Sequence, residues 1–272
     1  MRYQGGKRRS AKYIVPFLGR LKAAAPVPDV ADLFLGSCGI ERAAHDAGAT
    51  VTLGAEICPA VIACYRAVAA GWDPPSRLTR DEYRALQKIH GPDSQDPIAA
   101  FALAFCAYGG KWGSGHLPDD TRCGQRDSAF AAAKARKDLL EMAPLFRAMR
   151  LECMDYRAAA ELVPDGGVVY LDPPWRGTLP YKQAPPFDHD EFWRWSAEAS
   201  RRWRVLISES PLGPPADAGW RLAWSRMVPS PGLAANKVEC LWYYEAGLAA
   251  RVLDSTSQAC HTSGAPVAQL VE

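Results

Sequence analysis

The stretch VADLFLGSCG at residues 30–39 decides the fold. Its apolar half, residues 30–34, predicts a strand, and the glycines that follow predict a tight loop before a helix at 41–47. A second apolar run at 51–56 leads into a predicted helix at 59–70. Strands that alternate with helices in this way pair in parallel, because each helix carries the chain back across the sheet.

The same alternation resumes in the second half of the chain. It predicts strands at 151–155, 167–172 and 205–208, a helix at 188–202, and a terminal strand pair at 221–228 and 238–245. The sequence therefore predicts an α/β fold with a doubly wound, Rossmann-like sheet that carries helices on both faces.

Residues 72–150 interrupt the alternation. Their pattern is mainly helical, with a glycine-rich break at 109–115, and we predict that they form an inserted lobe. The sheet domain then comprises residues 1–71 and 151–246. The tail at 247–272 is rich in small and polar residues that leave little to bury, and we expect it to be poorly ordered.

Composition gives only a partial indication of partners. Of the 272 residues, 48% are hydrophobic, and the formal net charge of +2 does not by itself indicate a polyanion partner. Residues 1–28 nevertheless contain seven basic residues and no acidic one. Such a run is either a solvated basic end or a surface that faces phosphates.

Cysteine usage and hydropathy predict a cytoplasmic protein. The eight cysteines include no Cys-x-x-Cys pair, and no apolar stretch has the length of a signal peptide or a membrane span. The spacing of Cys106, His116 and Cys123 matches no common zinc pattern, so we predict no metal site.

Three predicted strands end in groups suited to a nucleotide. The first runs into the glycine loop, where a ligand can approach backbone N–H groups at the start of a helix. The second ends in Glu56, about twenty residues on, where doubly wound folds place an acid for ribose hydroxyls. The third ends in Asp155 and Tyr156, a carboxylate for an adenine amino group and a ring for the base. These groups meet at one edge of the sheet.

The fourth predicted strand ends in Asp172, Pro173, Pro174 and Trp175. The two prolines stiffen the turn and lack backbone donors, which leaves neighbouring carbonyls free to accept. Asp172 and the Pro173 carbonyl can each accept one N–H of an amine, so that its lone pair can attack a methyl sulfonium. Trp175 would stack on the base, which must leave the duplex because its amino group is otherwise paired. We predict that these four residues catalyse methyl transfer to an exocyclic amine, without metal or covalent nucleophile.

Together with the segment RYQGGK at residues 2–7, these motifs resemble those of Dam-type adenine-specific DNA methyltransferases, including phage-borne members. The resemblance spans residues 2–244, with Trp175 in place of the family's tyrosine. It implies adenine-N6 methylation of double-stranded DNA, with S-adenosylmethionine as cofactor. The residues it predicts at the cofactor are Tyr3, Gly5, Gly6, Lys7, Asp32, Phe34, Gly36, Gly39, Glu56, Ile57, Asp155, Tyr156 and Asp172.

The resemblance also implies that residues 72–150 recognise the DNA target. Within them, Lys111 would meet a phosphate, and Trp112 would either stack on a base or fold into the core. Lys7, Arg8 and Arg9 are further predicted DNA contacts. We expect a bacterial or phage-infected cell and no obligatory protein partner, and restriction-modification, phage protection and regulation would all need this chemistry.

Three other functions are alternatives to adenine methylation. Methylation of the 4-amino group of cytosine would use nearly the same local geometry. Methylation of the cytosine 5-carbon needs a cysteine after a proline, whereas this chain has Cys58 before Pro59. A DNA-binding relative without activity is the third, and the intact loop at Asp172 argues against it.

Overall fold

The computed structural model describes residues 3–27, 29–49, 51–115, 128–216, 218–228 and 237–254. Its strands are β1 Val30–Asp32, β2 Leu53–Glu56, β3 Arg150–Cys153, β4 Val168–Leu171, β5 Arg204–Glu209, β6 Trp220–Val228 and β7 Lys237–Tyr244. They form one sheet in the order β3-β2-β1-β4-β5-β7-β6. β1 to β5 pair in parallel, and β7 runs antiparallel to both β5 and β6. The order reverses between β1 and β4, which confirms the predicted doubly wound sheet.

The helices connect these strands. They are α1 Ala11–Ala23, α2 Gly39–Asp46, α3 Pro59–Ala69, α4 Arg80–Ile89, α5 Pro97–Ala100, α6 Ser128–Ala148, α7 Tyr156–Ala160, α8 His189–Ala199 and α9 Ala250–Leu253. Sequence reasoning missed α1, although Ile14, Leu18 and Leu21 follow the spacing of one helical face and are buried. The basic residues interspersed among them make this period less apparent in the sequence.

The two faces of the sheet carry separate apolar layers. Val168 and Tyr170 of β4 point into the layer under α1, α2, α3 and α6, whereas Val169 and Leu171 point into the layer under α7 and α8. This alternation is the period-two geometry of a strand that is buried on both faces.

The segment between β2 and β3 shares the core of the sheet domain. Tyr65 of α3 stacks on Phe105 from this segment, with ring centroids 5.8 Å apart, and on Phe146 of α6 at 4.5 Å. All three rings lie in one buried cluster. α6 therefore serves as the helical cover that precedes β3, and no break in packing separates residues 72–115 and 128–150 from the rest of the described chain.

The predicted start of the poorly ordered tail, at residue 247, is too early. Residues 250–253 form α9, and Ala249, Ala250 and Leu253 are buried against the body of the protein. The Tyr243 hydroxyl donates a hydrogen bond to Asp254. A few apolar residues at helical spacing suffice to dock a short terminal helix, and residues 255–272 lie outside the described part.

Candidate active site

A cavity of about 340 Å³ opens at the carboxyl ends of β1, β2, β3 and β4. This position is the reversal point of the strand order, where open α/β sheets hold their ligands. All thirteen residues predicted at the cofactor line it, together with Pro174 of the predicted catalytic loop. The fold thus brings together residues that lie between positions 3 and 191 of the chain.

One end of the cavity is built around Glu56. Its carboxylate accepts the Gly36 N–H and the Cys58 N–H, both at 3.1 Å. These bonds hold the carboxylate toward the glycine loop, and burial raises the pKa of Glu56. Gly36 has φ of +47°, and a Cβ there would lie 3.2 Å from the Tyr3 ring, so the close contact of loop and N-terminal segment favours glycine.

Aromatic rings form the wall beyond Glu56. Phe34 stacks on Tyr156 with ring centroids 5.3 Å apart, and Phe187 meets Phe34 edge-on at 6.0 Å. Asp155 caps α7 by accepting the Arg157 N–H at 2.9 Å. An adenosyl group needs an apolar slot for its base and acceptors for its ribose hydroxyls, and these residues supply both. The cavity therefore fits S-adenosylmethionine.

The other end of the cavity is built around Asp172, which directly follows β4. Its Oδ1 lies 2.7 Å from Lys7 Nζ, which also lies 4.5 Å from the centre of the Trp175 ring. Burial raises the pKa of Asp172 to about 7, although Lys7 acts in the opposite direction. Burial lowers the pKa of Lys7, but the carboxylates of Asp172 and Glu239 outweigh it and leave that pKa raised.

The location of Lys7 corrects one prediction. Its side chain is only 8% exposed and is paired with Asp172 inside the protein. A buried ammonium that is already paired with a carboxylate is not a surface phosphate contact, so the structure places Lys7 in the cavity and not among the exposed cations. Arg8 and Arg9, the next two residues, are exposed as predicted DNA contacts must be.

The turn after Trp175 is anchored by a residue that sequence reasoning missed. Glu209, at the end of β5, accepts the Arg176 N–H at 2.6 Å and the Ser210 hydroxyl at 3.0 Å. Burial raises the pKa of Glu209 to about 7. The Thr178 hydroxyl donates to the Trp175 carbonyl at 2.7 Å, which closes the turn. The sequence signal that could have identified Glu209 is a polar residue at the end of a buried apolar strand.

Two distant loops complete the walls by packing on the N-terminal segment. The Gln4 N–H donates to the Gly110 carbonyl at 3.0 Å, and the Tyr181 hydroxyl donates to the Gln4 carbonyl at 3.3 Å. A Cβ on Gly110 would lie 2.5 Å from the Tyr3 backbone nitrogen. The glycine-rich loop of residues 72–150 is therefore part of the site and not remote from it.

The same loop decides between the two alternatives for Trp112. Trp112 is 7% exposed and lies in the hydrophobic core, so it is not available to stack on a base. The Gly113 N–H donates to the Leu103 carbonyl at 2.8 Å, which ties the loop down beside it. The loop instead presents Tyr108, which is 66% exposed, and the exposed Lys111.

Asp32 lines the cavity, and it forms a pair of buried carboxyl groups with Glu41, which is outside the lining. Asp32 accepts the Phe34 N–H at 2.9 Å. Burial raises the pKa of Glu41 well above its ordinary value, and the negative charge of Asp32 raises it further. The raised pKa favours the protonated form of Glu41, which spares the site a second buried negative charge.

Two further features bear on earlier expectations. In the described ranges, no group of histidine, cysteine and acidic side chains is arranged to hold a metal ion, and His116 and Cys123 lie outside those ranges. None of the helices in the described part combines the length and the apolar character of a membrane span.

Comparison with solved structures finds distant likenesses. TrmN from Thermus thermophilus is 15% identical, with a TM-score of 0.36, over 87% of this chain and 50% of the TrmN chain. A conserved hypothetical protein from Streptococcus pyogenes is 11% identical, with a TM-score of 0.31, over 80% of this chain and 87% of its own. The chain thus spans half the length of TrmN. No curated protein sequence matches it.

Comparison with protein families gives a specific result. The model of the D12 class N6 adenine-specific DNA methyltransferases matches residues 3–184, which is more than half of the chain. The matched region contains every residue predicted at the cofactor and the whole catalytic loop. The match confirms the predicted family, its enzyme class and its methyl donor, S-adenosylmethionine. This chain belongs to the D12 class N6 adenine-specific DNA methyltransferase family.

Proposed function

We propose that this chain transfers a methyl group from S-adenosylmethionine to the 6-amino group of adenine in double-stranded DNA. The observation that carries the proposal is the position of Asp172. Its carboxylate faces the cavity at the end of β4, in the same cavity as Glu56 and the aromatic wall. A target amine in front of Asp172 would therefore lie beside a cofactor held between Glu56 and Tyr156.

The chemistry follows from the groups that face the amine. S-adenosylmethionine supplies an electrophilic methyl group on a positively charged sulfur. Asp172 and the Pro173 carbonyl accept the two N–H groups of the amine, which directs its lone pair toward the methyl carbon. A nitrogen–carbon bond forms, the carbon–sulfur bond breaks with its electrons moving to sulfur, and the nitrogen loses one proton. Asp172, with a pKa of about 7, is placed to accept that proton.

The target base needs a stacking partner once it has left the duplex. Lys7 lies over the Trp175 ring, at 4.5 Å from its centre. We propose that the base stacks on the opposite face of Trp175, with its amino group toward Asp172. Stacking of this kind offsets part of the cost of removing the base from the helix.

The DNA backbone would run across the same edge of the sheet. Arg8, Arg9 and Lys111 are exposed there. Lys12 Nζ and the Arg226 guanidinium both lie against the Tyr13 ring, at 4.9 and 4.5 Å from its centre.

No acid of the described chain pairs with either of these two cations. Two cations against one ring repel each other, and a phosphate between them would relieve the repulsion.

Each lost phosphate contact should lower the log–log salt slope of DNA binding by about one unit, measured for Lys111→Ala and Arg226→Ala. Arg194→Ala, on α8, is the control. An unchanged slope would remove the residue from the phosphate contacts.

Residues 72–150 are proposed to read the target sequence. Their loop at Tyr108 and Lys111 packs on Gln4 beside the cavity mouth, where a duplex must lie if its base enters the cavity. We further propose that the protein works in the cytoplasm of a bacterial or phage-infected cell, without an obligatory protein partner.

The test is product identification. The chain is incubated with labelled S-adenosylmethionine and undermethylated double-stranded DNA, and the labelled nucleoside is identified by mass after digestion. Label in 6-methyladenine supports the proposal, and label in 4-methylcytosine moves the substrate while keeping the site. DNA that is bound but never labelled would instead favour a binding protein. Asp172→Asn serves as the inactive control.

A further inference from the structure

Lys7 contacts two carboxylates, and only one of them belongs to the predicted site. Its Nζ lies 2.7 Å from Asp172 and 3.5 Å from Glu239 of β7. Glu239 is 2% exposed. The family match ends at residue 184, so it does not extend to this strand. Burying a carboxylate costs free energy unless it is paired, so the partners of Glu239 must explain why it lies there.

The partners of Glu239 hold it in one orientation. The Ser208 hydroxyl of β5 donates to its Oε1 at 2.9 Å, and the Ser10 hydroxyl donates to its Oε2. Both serines are buried. Glu239 is thus held from the sheet below and from the start of α1 above, and it forms an ion pair with Lys7.

This arrangement matters for the acceptor that the reaction needs. An ammonium paired with Asp172 alone would be free to occupy both of its oxygens, because it carries three donors. Here Lys7 contacts Oδ1 of Asp172, and Glu239 attracts it from the other side. The second oxygen of Asp172 accepts no hydrogen bond from the described residues.

We propose that Glu239 is a positioning residue for methyl transfer, which holds the Lys7 ammonium between two carboxylates and so keeps one oxygen of Asp172 free for the target amine. The inference rests on the proposed function, because it assigns Asp172 to that amine. Lys7 also lies over Trp175, so the same anchor supports the proposed stacking ring.

The test compares Glu239→Gln with Tyr243→Phe, which removes a hydroxyl–carboxylate bond from the same strand away from Lys7. Glu239→Gln should lower the limiting rate of methyl transfer roughly tenfold or more, with little change in affinity for cofactor or DNA. Tyr243→Phe should leave the rate unchanged. Equal rates for Glu239→Gln and wild type would overturn the inference.

The pH profile provides a readout that a merely structural role would not move. The charged and titratable groups that face Asp172 are Lys7, Asp32, Glu41, Tyr170, Tyr181 and Glu239. Glu239→Gln removes one negative charge from this set, so the acid limb of the rate should move to lower pH while the limiting rate falls. A lower rate with an unmoved limb would contradict the inference.

A double-mutant cycle tests whether Glu239 acts through Lys7. In the Lys7→Met background, Glu239→Gln should cause no further loss in the pH-independent rate, whereas independent roles would give additive losses. If Glu239→Gln fails to fold, Ser10→Ala weakens the same anchor and should cause a smaller loss of the same kind. A wild-type chain that transfers no methyl group would overturn the proposed function and this inference together, whereas an active wild type with additive losses would overturn this inference alone.

Discussion

The two ends of the cavity hold their carboxylates in different ways. Glu56 is held by peptide N–H groups, one from Cys58, two residues away, and one from the glycine loop. Asp172 is held by the ammonium of Lys7, far away in the chain, which is itself held by Glu239. The cofactor end is therefore a property of short motifs. The catalytic end is a property of the assembled fold, and its electrostatics depend on three separate segments.

The largest effect should come from Asp172→Asn. The amide keeps the shape of the side chain but replaces one acceptor with a donor, so methyl transfer should fall roughly 100- to 1000-fold. Cofactor affinity should stay nearly the same, because Asp172 faces the amine. Equilibrium binding of S-adenosylmethionine and single-turnover rates separate the two quantities. A loss of cofactor affinity as large as that of Glu56→Gln would abolish the distinction between the two ends.

Glu56→Gln should produce the opposite result. Loss of the charged acceptor should weaken cofactor binding roughly 10- to 100-fold, while the rate at saturating cofactor changes little. Glu152→Gln is the matched control, because it lies on the neighbouring β3 outside the cavity lining. A Glu56→Gln variant with normal cofactor affinity would place the ribose elsewhere.

Lys7→Met should shift the pH dependence of activity. The free chain needs ionised Asp172, whose pKa is about 7, so kcat/KM should fall tenfold per pH unit below that value. The Lys7 ammonium lowers the pKa of Asp172, so its removal should move the acid limb to higher pH. Profiles of kcat/KM against pH for the two chains measure the shift. A limb that stays in place would show that Lys7 does not control Asp172 electrostatically.

The smallest effect on activity should come from Glu41→Gln, whose main effect is on stability. The pKa of Glu41 is raised well above its ordinary value of 4.5, so the folded chain keeps a proton that the unfolded chain loses. The free energy of unfolding should therefore fall as pH rises above 4.5, by up to about 1.4 kcal/mol per pH unit, until the folded group ionises. Glu41→Gln removes this fall, so the stability of the variant relative to the wild type should be higher at pH 8 than at pH 4. Denaturant unfolding at both pH values, with exposed Glu198→Gln as control, decides the point.

The predicted part of the site lies where local chemistry and strand geometry coincide. The glycine loop, Glu56, Asp155 and the turn at Asp172 all follow a strand directly, and parallel strands bring their carboxyl ends to one edge. Any chain that places such residues after such strands must assemble them there. This is why these cavity-lining residues could be predicted from the sequence.

The missed or misassigned residues owe their roles to packing between distant segments. Trp112 has the same neighbours in sequence whether it faces DNA or the core, and only the packing around it places it inside. Lys7 stands in a basic run that suggests phosphate contact, yet the fold turns it toward Asp172 while Arg8 and Arg9 stay exposed. Charge alone does not distinguish these neighbours, although the resemblance of residues 2–7 placed only Lys7 at the cofactor.

By itself, the sequence determined the doubly wound sheet, the position of the cavity and the chemistry of the groups at its edge, because strand periodicity and strand-end residues are local properties. Only the tertiary structure decided the partners of Asp172. Glu239 meets Lys7 because β7 inserts between β5 and β6 while α1 packs over the same face, and the charge balance of a buried carboxylate is a sum over neighbours that the chain order does not reveal.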